Sequence, residues 1–350
     1  MTTSEALLKL EQLSRVFTVR RGLATSRFVA VDDVTLAIAA DRPEILAVVG
    51  ESGSGKTTLA RMILGQVVPS AGHLHFKGRD MTRLSARERR IWFMKEVQPI
   101  FQDPFAAFSP LKKIESYLYE TALNFGTATR ATVDAHIDQA LHTVGLSLKE
   151  IKGRYPNELS GGQMQRTAIA RALTTNPSLL VADEPVSMLD ASLRMAIVNS
   201  FRDLKQQQGV SVIYITHDLA TAYYAADRIA VMLRGWVVEL GPAEQVLGNP
   251  LHPYTQILKS SVPEPDPRMR WTEKVALARQ ELDEFSATGC KFATRCPFAM
   301  DVCSRVAPTN LVPDGRMVKC HLYDPAIPAA QKHRAGGAIP LTPVASTKAS

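Results

Sequence analysis

The sequence has 350 residues, of which 45% are hydrophobic, and a formal net charge of +7. This length allows about two domains and a core large enough for an α/β fold, while the longest apolar runs are too short for a membrane-spanning helix of roughly 20 residues. The basic residues are scattered and form no groove interleaved with aromatic residues, so we expect no nucleic-acid partner. No charged, apolar and small-residue pattern opens the chain, and a secretory signal is therefore not expected.

The apolar pattern predicts two kinds of strand. Residues 6–40 indicate strands of an antiparallel edge. The runs at 45–49, 179–182, 212–215 and 229–233 are continuously apolar, as expected of parallel strands that are covered on both faces.

A glycine-rich loop follows the first continuous run and precedes a helical pattern that includes Leu59, Met62 and Ile63. Strand, loop and helix form the context in which loop amides and a helix N-terminus hold phosphate groups. In such a site Lys56 neutralises the β and γ oxygens, and the Thr57 hydroxyl ligates Mg²⁺. The predicted ATP-binding residues of this loop are Gly50, Glu51, Ser52, Gly53, Ser54, Gly55, Lys56, Thr57 and Thr58.

Two further polar motifs follow along the chain. Gln102 comes after a short apolar segment and offers an amide that suits contact with the metal ion and the attacking water. After a more polar, helical stretch, the residues Leu-Ser-Gly-Gly-Gln from Leu159 to Gln163 open another helix. A helix N-cap needs only Ser and Gly, so capping explains Ser160 but not Gly162 and Gln163.

Two carboxylates and a histidine follow later apolar runs. Asp183 and Glu184 end the second run, where buried charge is costly without a metal ion. We expect Asp183 to hold the magnesium shell and Glu184 to orient and polarise the attacking water. His217 follows the next run, and this position favours a γ-phosphate contact. Gln102, Glu184 and His217 are therefore the catalytic candidates, and Thr57, Gln102 and Asp183 are the candidate magnesium ligands.

In this order, the motifs resemble those of the nucleotide-binding subunit of an ABC transporter, from about residue 6 to about residue 260. The resemblance implies a P-loop NTPase of ABC type with an antiparallel β edge and a helical subdomain inserted at about 104–165. It also implies a head-to-tail dimer, in which the partner's signature motif covers ATP bound at the glycine loop. The signature residues with that role are Ser160, Gly161, Gly162 and Gln163.

An aromatic residue early in the chain is expected to stack on adenine in such subunits. Phe17 is the candidate, and Phe28 is the alternative. A role in the core is also open for Phe17.

The C-terminal part is similar to the extension of oligopeptide and dipeptide importers. The similarity rests on residues 101–104, 249–255 and 262–267 and on a series of cysteines. Residues 105–110 and Met188 depart from the family's usual pattern, and the resemblance implies that both lie near contacts to a partner subunit.

The resemblance and the composition together divide the chain into parts. We expect an ATP-binding domain over residues 6–260 and a small cysteine-bearing extension over residues 261–323. A proline cluster and a charged helical stretch at 262–288 form the predicted connector. Pro, Ala, Gly and Lys dominate residues 324–350, which predicts a disordered tail.

All four cysteines lie in the predicted extension, at Cys290, Cys296, Cys303 and Cys320. Disulfides are disfavoured because an ATP-using subunit belongs in a reducing compartment. Four thiolates, or three with His321, suit structural zinc, although the short Cys-x2-Cys knuckle is missing. Four thiolates also suit an iron–sulfur cluster, and buried free thiols are a third alternative. The extension of the importer family is associated with a [4Fe–4S] cluster, so the resemblance implies that cofactor, with Zn²⁺ as the alternative.

The function that the resemblance implies is that of an ATP-hydrolysing energy-coupling subunit, which drives permease subunits through ATP-dependent dimer closure. Its partners are then two membrane permease subunits, a second ABC ATPase subunit and an extracytoplasmic solute-binding protein, and its place is peripheral, at the cytoplasmic face of the inner membrane. Oligopeptides or dipeptides are the expected solutes, with oligosaccharides or nickel as alternatives in the same family.

Two other classes fit the sequence less well. An exporter's ATPase half usually carries fused membrane spans, and the sequence shows none. A soluble ABC ATPase acting on ribosomes or DNA commonly has a second cassette or a long coiled-coil insertion, and neither is visible.

Overall fold

A computed structural model describes residues 6–21, 24–187, 189–261, 285 and 287–332. Met188, most of the predicted connector and residues 333–350 of the predicted disordered tail lie outside these described residues. Residues 324–332, where that tail was predicted to begin, include a short helix.

The described residues form eleven strands. In chain order they are β1 (Ala6–Arg21), β2 (Ala24–Ala39), β3 (Ile45–Val49), β4 (Ala71–Phe76), β5 (Arg79–Asp80), β6 (Val97–Ile100), β7 (Leu179–Asp183), β8 (Ser211–Thr216), β9 (Arg228–Leu233), β10 (Trp236–Pro242) and β11 (Met317–Val318).

The α-helices of the described residues alternate with these strands. They are α1 (Lys56–Ile63), α2 (Ala86–Glu88), α3 (Met94–Glu96), α4 (Ile114–Asn124), α5 (Val133–Thr143), α6 (Leu148–Ile151), α7 (Gly161–Leu173), α8 (Ala191–Gln208), α9 (Leu219–Ala225), α10 (Ala243–Gly248), α11 (Pro253–Ser260), α12 (Asp301–Arg305) and α13 (Ala329–Lys332). A π-helical turn (Arg89–Phe93) joins α2 to α3, and 3₁₀ helices cover Phe105–Ala107, Pro156–Glu158 and His321–Tyr323.

The larger sheet has seven strands in the order β11-β10-β9-β3-β8-β7-β6. The strands from β6 to β9 are parallel neighbours, whereas β10 and β11 pair antiparallel at one edge. The parallel strands predicted from continuous apolar runs are thereby confirmed as β3, β7, β8 and β9. Because the carboxyl ends of parallel strands meet at one edge of a sheet, this topology gathers the loops after β3, β6, β7 and β8.

Strand β3 shows why the large sheet is covered on both faces. Ile45, Ala47 and Val49 belong to one hydrophobic core, whereas Leu46 and Val48 belong to another. Successive side chains of a strand point to opposite faces of the sheet, so a strand between two layers must be apolar at every position. All five residues of β3 are buried.

The second sheet has four antiparallel strands in the order β2-β1-β4-β5. Leu10, Val34 and Phe76 from this sheet share a core with Leu46 and Val48 of β3. The antiparallel strands predicted within residues 6–40 are confirmed, and they form a sheet of their own against one face of the large sheet.

Helices α4 to α7 pack on the opposite side. Ile114, Leu118, Ile137 and Met164 from these helices belong to the same core as Ile45. No helix of the described residues is both long enough and apolar enough to cross a membrane.

The C-terminal residues are joined to the large sheet by β11, which pairs with β10. Beside this pairing, Arg316 donates hydrogen bonds to the carbonyl oxygens of Gln245 and Asn249 and lies 3.6 Å from the Glu239 carboxylate. The side chain of Arg316 is 2% exposed and that of Glu239 is fully buried. Removal of one partner of a buried ion pair strongly destabilises a protein. The packing of β11 beside α10 therefore depends on both Arg316 and Glu239.

The buried imidazole ring of His252 makes the stability of the fold depend on pH in the acidic range. The ring is 1% exposed, and its Nδ1 accepts a hydrogen bond from the Tyr254 backbone N–H at 3.0 Å. Burial lowers the pKa of His252 from 6.5 to about 3. The unfolded chain therefore binds the proton first as the pH falls, so the stability that the neutral ring contributes is complete above pH 6.5 and is lost on acidification toward pH 3.

We expect the free energy of unfolding of the wild type to fall between pH 6 and pH 4 more steeply than that of His252→Asn, which keeps an acceptor for Tyr254. The difference in slope is about 1.4 kcal/mol for each pH unit, measured by denaturant unfolding. His142→Asn is the matched control, because the side chain of His142 is 63% exposed. Equal slopes for His252→Asn and the wild type would contradict the assignment.

Candidate functional site

A cavity of about 430 Å³ opens at the carboxyl edge of the parallel strands. Residues from the loops after β3, β6, β7 and β8 line it, together with residues of β2 and α1. The lining residues are Phe28, Ala30, Ser52, Gly53, Gly55, Lys56, Thr57, Thr58, Gln102, Glu184 and His217. The structure thus brings most of the predicted glycine loop together with all three catalytic candidates.

The loop after β3 can take its shape only with glycine at two positions. Gly50 and Gly55 have φ angles of 150° and 107°. A Cβ at Gly50 would lie 2.1 Å from the Met232 carbonyl oxygen, and a Cβ at Gly55 would lie 2.2 Å from that of Ala30. Neither backbone neighbour can move aside without disturbing β9 or β2. The loop is therefore pressed against both sheets, and its backbone forms the wall of the cavity.

Lys56 begins α1 and is held by the loop itself. Its Nζ donates to the carbonyl oxygens of Gly50 and Glu51 at 2.7 and 2.8 Å, and Ser54 Oγ lies 3.4 Å away. Burial lowers the pKa of Lys56, and the negative charges of Glu184 and Asp183 partly oppose that effect. No side chain of the described residues caps the N-terminus of α1 at Gly55. A buried ammonium group beside free helix amides is suited to binding an anion.

Thr57, which lines the cavity, lies beside the carboxylate of Asp183 at the end of β7. Thr57 Oγ1 lies 3.4 Å from Asp183 Oδ1. Burial raises the pKa of Asp183, and the neighbouring charge of Glu184 adds to the effect, while Thr57 and Lys56 oppose it. Mg²⁺ prefers oxygen ligands and takes only one or two protein ligands beside substrate phosphates. The hydroxyl and carboxylate present here, with Gln102 lining the same cavity, therefore fit Mg²⁺.

Glu184 and His217 form a pair at the cavity wall. His217 Nδ1 lies 2.9 Å from Glu184 Oε1 in a hydrogen bond. Glu184 has a φ angle of 50°, which is unusual for a residue with a side chain, and its N–H donates to the Ile215 carbonyl oxygen at 2.9 Å. The Glu184 side chain is 16% exposed and that of His217 is 66% exposed. The histidine, predicted to face the γ-phosphate, thus also orients the carboxylate.

The Leu-Ser-Gly-Gly-Gln motif lies away from this cavity, at the N-terminus of α7. Ser160 Oγ accepts from the Gln163 N–H at 3.3 Å, and Gln163 Oε1 accepts from the Ser160 N–H at 3.1 Å. The sequence argument that capping leaves Gln163 unexplained is therefore wrong, because these two residues form a capping box. Gly162 also has a packing reason, since a Cβ there would lie 2.6 Å from Leu193 Cδ1. A Cβ on Gly161 would meet nothing within 4 Å.

The two aromatic candidates for adenine stacking differ in position. Phe17 and Phe28 are paired across β1 and β2, but Phe28 lines the cavity and Phe17 is not among its lining residues. The Arg15 guanidinium lies 4.6 Å from the centre of the Phe17 ring. The Phe285 ring lies 4.6 Å from that of Phe28.

Ala30 is a lining residue that the sequence did not indicate. It contributes backbone to the cavity wall beside Gly55. A backbone contact has no side-chain signature, so no pattern in the sequence could have identified this position.

The four cysteines are free thiols and lie near one another in the C-terminal part. The Cys290 N–H donates to the Cys303 carbonyl oxygen at 2.7 Å. Burial raises the pKa of Cys290 to about 11 and that of Cys296 to about 12, and the charge of neighbouring thiols adds to both shifts. Burial also raises the pKa of Cys320. Nevertheless, the described residues contain no group of three or more His, Cys, Asp or Glu side chains arranged to hold a metal ion. The donor chemistry suits a cluster, whereas the arrangement of the thiols does not form a metal site.

Comparison with known proteins agrees with this geometry. A family described as "ABC transporter" matches residues 31–187, and one described as "Oligopeptide/dipeptide transporter, C-terminal region" matches residues 238–303. A solved dimeric ATP-binding cassette bound to ADP and Pi is 26% identical, with a TM-score of 0.59 over 67% of this chain and 98% of that chain. The fold and the cavity define an ATPase of ABC type.

Two relatives narrow the class. A probable peptide ABC transporter ATP-binding protein of Sinorhizobium fredii is 39% identical over 93% of this chain and 92% of the relative. The oligopeptide transport ATP-binding protein OppF of Salmonella typhimurium is 41% identical over 85% of this chain and 88% of the relative. The chain belongs to the family of ATP-binding proteins of oligopeptide and dipeptide ABC transporters.

The position of Phe28 generates a test of adenine stacking. Stacking of a base on an aromatic ring contributes about 1–3 kcal/mol, so we expect Phe28→Ala to raise the Kd for ATP roughly tenfold in equilibrium binding. Phe17→Ala is the matched control, because it removes the paired ring without changing the cavity lining, and it should bind like the wild type. If Phe17→Ala weakens binding and Phe28→Ala does not, Phe17 is the stacking residue.

Proposed function

We propose that this chain is the ATP-hydrolysing energy-coupling subunit of an ABC importer for peptides. The observation that carries the proposal is the single cavity in which Lys56 and the glycine loop meet the Glu184–His217 pair. A buried cation and loop amides suit the phosphates of ATP, and the carboxylate suits a water molecule that attacks them.

Six side chains in or beside the cavity have chemical roles in the proposed reaction. Lys56 and the loop amides bind the β- and γ-phosphates, and Thr57, Asp183 and Gln102 would hold Mg²⁺, which supplies neutralisation of the phosphate charge when it is bound. Glu184 accepts a hydrogen bond from the attacking water and orients it. His217 holds the Glu184 carboxylate and faces the γ-phosphate side.

The signature motif is proposed to act on the nucleotide of a partner subunit. Its position outside this chain's own cavity and the open space around Gly161 support this role. The positive end of α7 then meets the γ-phosphate from the other side, with Ser160, Gly161, Gly162 and Gln163 in contact with the nucleotide. A solved cassette that resembles this chain is itself dimeric and was bound to ADP and Pi.

The proposed assembly contains two permease subunits, a second ABC ATPase subunit and an extracytoplasmic solute-binding protein. It places this chain peripherally at the cytoplasmic face of the inner membrane. The names of the relatives specify peptide or oligopeptide transport, and they favour peptides over oligosaccharides and nickel. In this proposal residues 6–260 form the ATP-binding domain, residues 104–165 form its helical subdomain, and residues 261–323 form the extension.

We expect Glu184→Gln to bind ATP as tightly as the wild type but to lower kcat on the order of 100–1000-fold, because the amide cannot accept the proton of the attacking water. Equilibrium binding to the full chain and ATPase turnover of the assembled transporter measure the two effects. Glu120→Gln is the matched control, since Glu120 lies on the exposed part of α4 with a side chain that is 56% exposed. Normal turnover by Glu184→Gln would refute the catalytic assignment.

The cysteine series carries a separate proposal: the four thiols hold a [4Fe–4S] cluster, with Zn²⁺ as the alternative. Four thiolates on Cys290, Cys296, Cys303 and Cys320 are the donor set that such a cluster needs, and this donor chemistry supports the proposal. Assembly from the arrangement described above requires the side chains to turn toward one centre.

An anaerobic preparation of the full chain should be brown, with iron and sulfide bound and a visible thiolate-to-iron absorption band. Cys296→Ser should lose that band, whereas Ser304→Ala, a control next to Cys303, should keep it. A colourless preparation that contains zinc would reject the cluster in favour of the alternative metal.

A further inference from the structure

Glu51, the second residue of the glycine loop, is held at three of its groups: the carbonyl oxygen, the N–H and the carboxylate. Its carbonyl oxygen accepts a hydrogen bond from Lys56 Nζ at 2.8 Å. Its N–H donates to the Tyr254 hydroxyl oxygen at 2.9 Å. Its carboxylate accepts from the Arg295 guanidinium, with Nη1 at 2.9 Å from Oε1 and Nη2 at 3.4 Å from Oε2. Two of these three contacts come from residues more than 200 positions further along the chain.

Tyr254 and Arg295 are fixed by the same aromatic ring. Phe292 is 1% exposed, and its ring packs against Tyr254 with centres 5.5 Å apart at 64°. The Arg295 guanidinium lies over the same ring, 5.2 Å from its centre. The Arg295 side chain is 17% exposed and that of Glu51 is 35% exposed, so their ion pair is partly shielded from water. Packed groups of this kind hold a loop in one geometry better than mobile surface side chains do.

The segment that carries Arg295 is anchored a second time, beside the same loop. Lys291 Nζ donates to Asp32 Oδ2 at 2.8 Å and to the Arg234 carbonyl oxygen at 2.9 Å, and its side chain is 3% exposed. The residue after Arg234, Gly235, donates its N–H to the Ser54 carbonyl oxygen of the glycine loop at 2.8 Å. Residues 291–295 therefore reach the glycine loop at two places. Arg295 binds Glu51 near the start of the loop. Lys291 binds the carbonyl oxygen of Arg234, and the next residue, Gly235, binds Ser54 in the middle of the loop.

We infer that Arg295 and Tyr254 are positioning residues for ATP binding, acting through Glu51 on Lys56. The carbonyl oxygens of Gly50 and Glu51 aim the Lys56 ammonium group, so fixing Glu51 fixes the cation that meets the phosphates. The guanidinium also neutralises a carboxylate that otherwise repels the phosphate groups. This inference rests on the proposed function, because the positioned site is the ATP site itself.

Loss of the arginine then has two costs for nucleotide binding. The loop must be ordered when ATP binds rather than beforehand, which weakens affinity, and the charge of Glu51 is left unopposed near the phosphates. Both effects weaken binding of the ground state and of the transition state by the same amount. A change of this type raises KM and Kd and leaves kcat nearly unchanged.

The experiment compares four variants of the full chain: Arg295→Met, Glu51→Gln, the double variant and Arg295→Lys. We expect Arg295→Met to raise the Kd for MgATP and the KM of the assembled transporter on the order of tenfold, with kcat within about twofold of the wild type. Arg295→Lys should restore part of the loss. The double variant should bind no worse than Arg295→Met, because removing the Glu51 charge cancels the repulsion.

Two further variants calibrate the result. Arg305→Met is the matched control, since the Arg305 side chain is 75% exposed in the same C-terminal part of the chain, and it should leave Kd and KM unchanged. Lys56→Ala tests the proposed function, because it should abolish MgATP binding. If Lys56→Ala binds normally, the ATP site is misassigned.

The positioning role is overturned if Lys56→Ala loses binding while Arg295→Met binds MgATP as tightly as Arg305→Met. It is also overturned if the effects of Arg295→Met and Glu51→Gln add in the double variant, because independent effects exclude a shared contact. Thermal unfolding of every variant distinguishes loss of the folded state from a misplaced glycine loop in a folded protein. If Arg295→Met does not fold, Arg295→Lys and Glu51→Gln are tested instead. The measurement is the same: whether KM rises while kcat stays nearly unchanged.

Discussion

The close approach of the glycine loop to two carbonyl groups is the constraint on which this structure depends. Gly50 and Gly55 lie against backbone oxygens of β9 and β2, in space where a Cβ does not fit. These contacts press the loop between the large parallel sheet and the antiparallel sheet. Gly53 and Gly55 of this loop line the cavity with backbone alone. Phosphate recognition and the packing of the two sheets are therefore one structural feature.

The charged groups at the cavity are of opposite sign and partly buried. Burial lowers the pKa of the Lys56 ammonium group and raises the pKa of the Asp183 carboxyl group. Glu184 takes an unusual backbone conformation that directs its carboxylate toward His217. Lys56 alone cannot offset the negative charge of the phosphates and of the two carboxylates, so a divalent cation that binds with the phosphates lowers the repulsion between them.

The sequence was informative where local pattern determines structure and uninformative where distant contacts do. Continuous apolar runs identified β3, β7, β8 and β9, because a strand covered on both faces has no polar position. Lys56, Glu184 and His217 could be predicted because they end or follow such strands. The choice between Phe17 and Phe28 could not be made, because the two residues are opposite each other in β1 and β2, and only the tertiary structure shows that the ring on β2 lines the cavity. Tyr254 and Arg295 carry no local signal, because tertiary packing alone brings them to Glu51.

The pairing of β11 with β10 has a consequence for how this protein can be divided. Strand β11 covers the open hydrogen-bonding edge of β10, and Arg316 beside it supplies the counter-charge of the buried Glu239. A truncated chain that ends near residue 260 would leave β10 as an exposed edge strand that can pair with other chains. It would also leave the Glu239 carboxylate buried without the positive charge of Arg316. An isolated cassette made in this way should aggregate rather than report on ATP turnover, because it lacks β11 and Arg316.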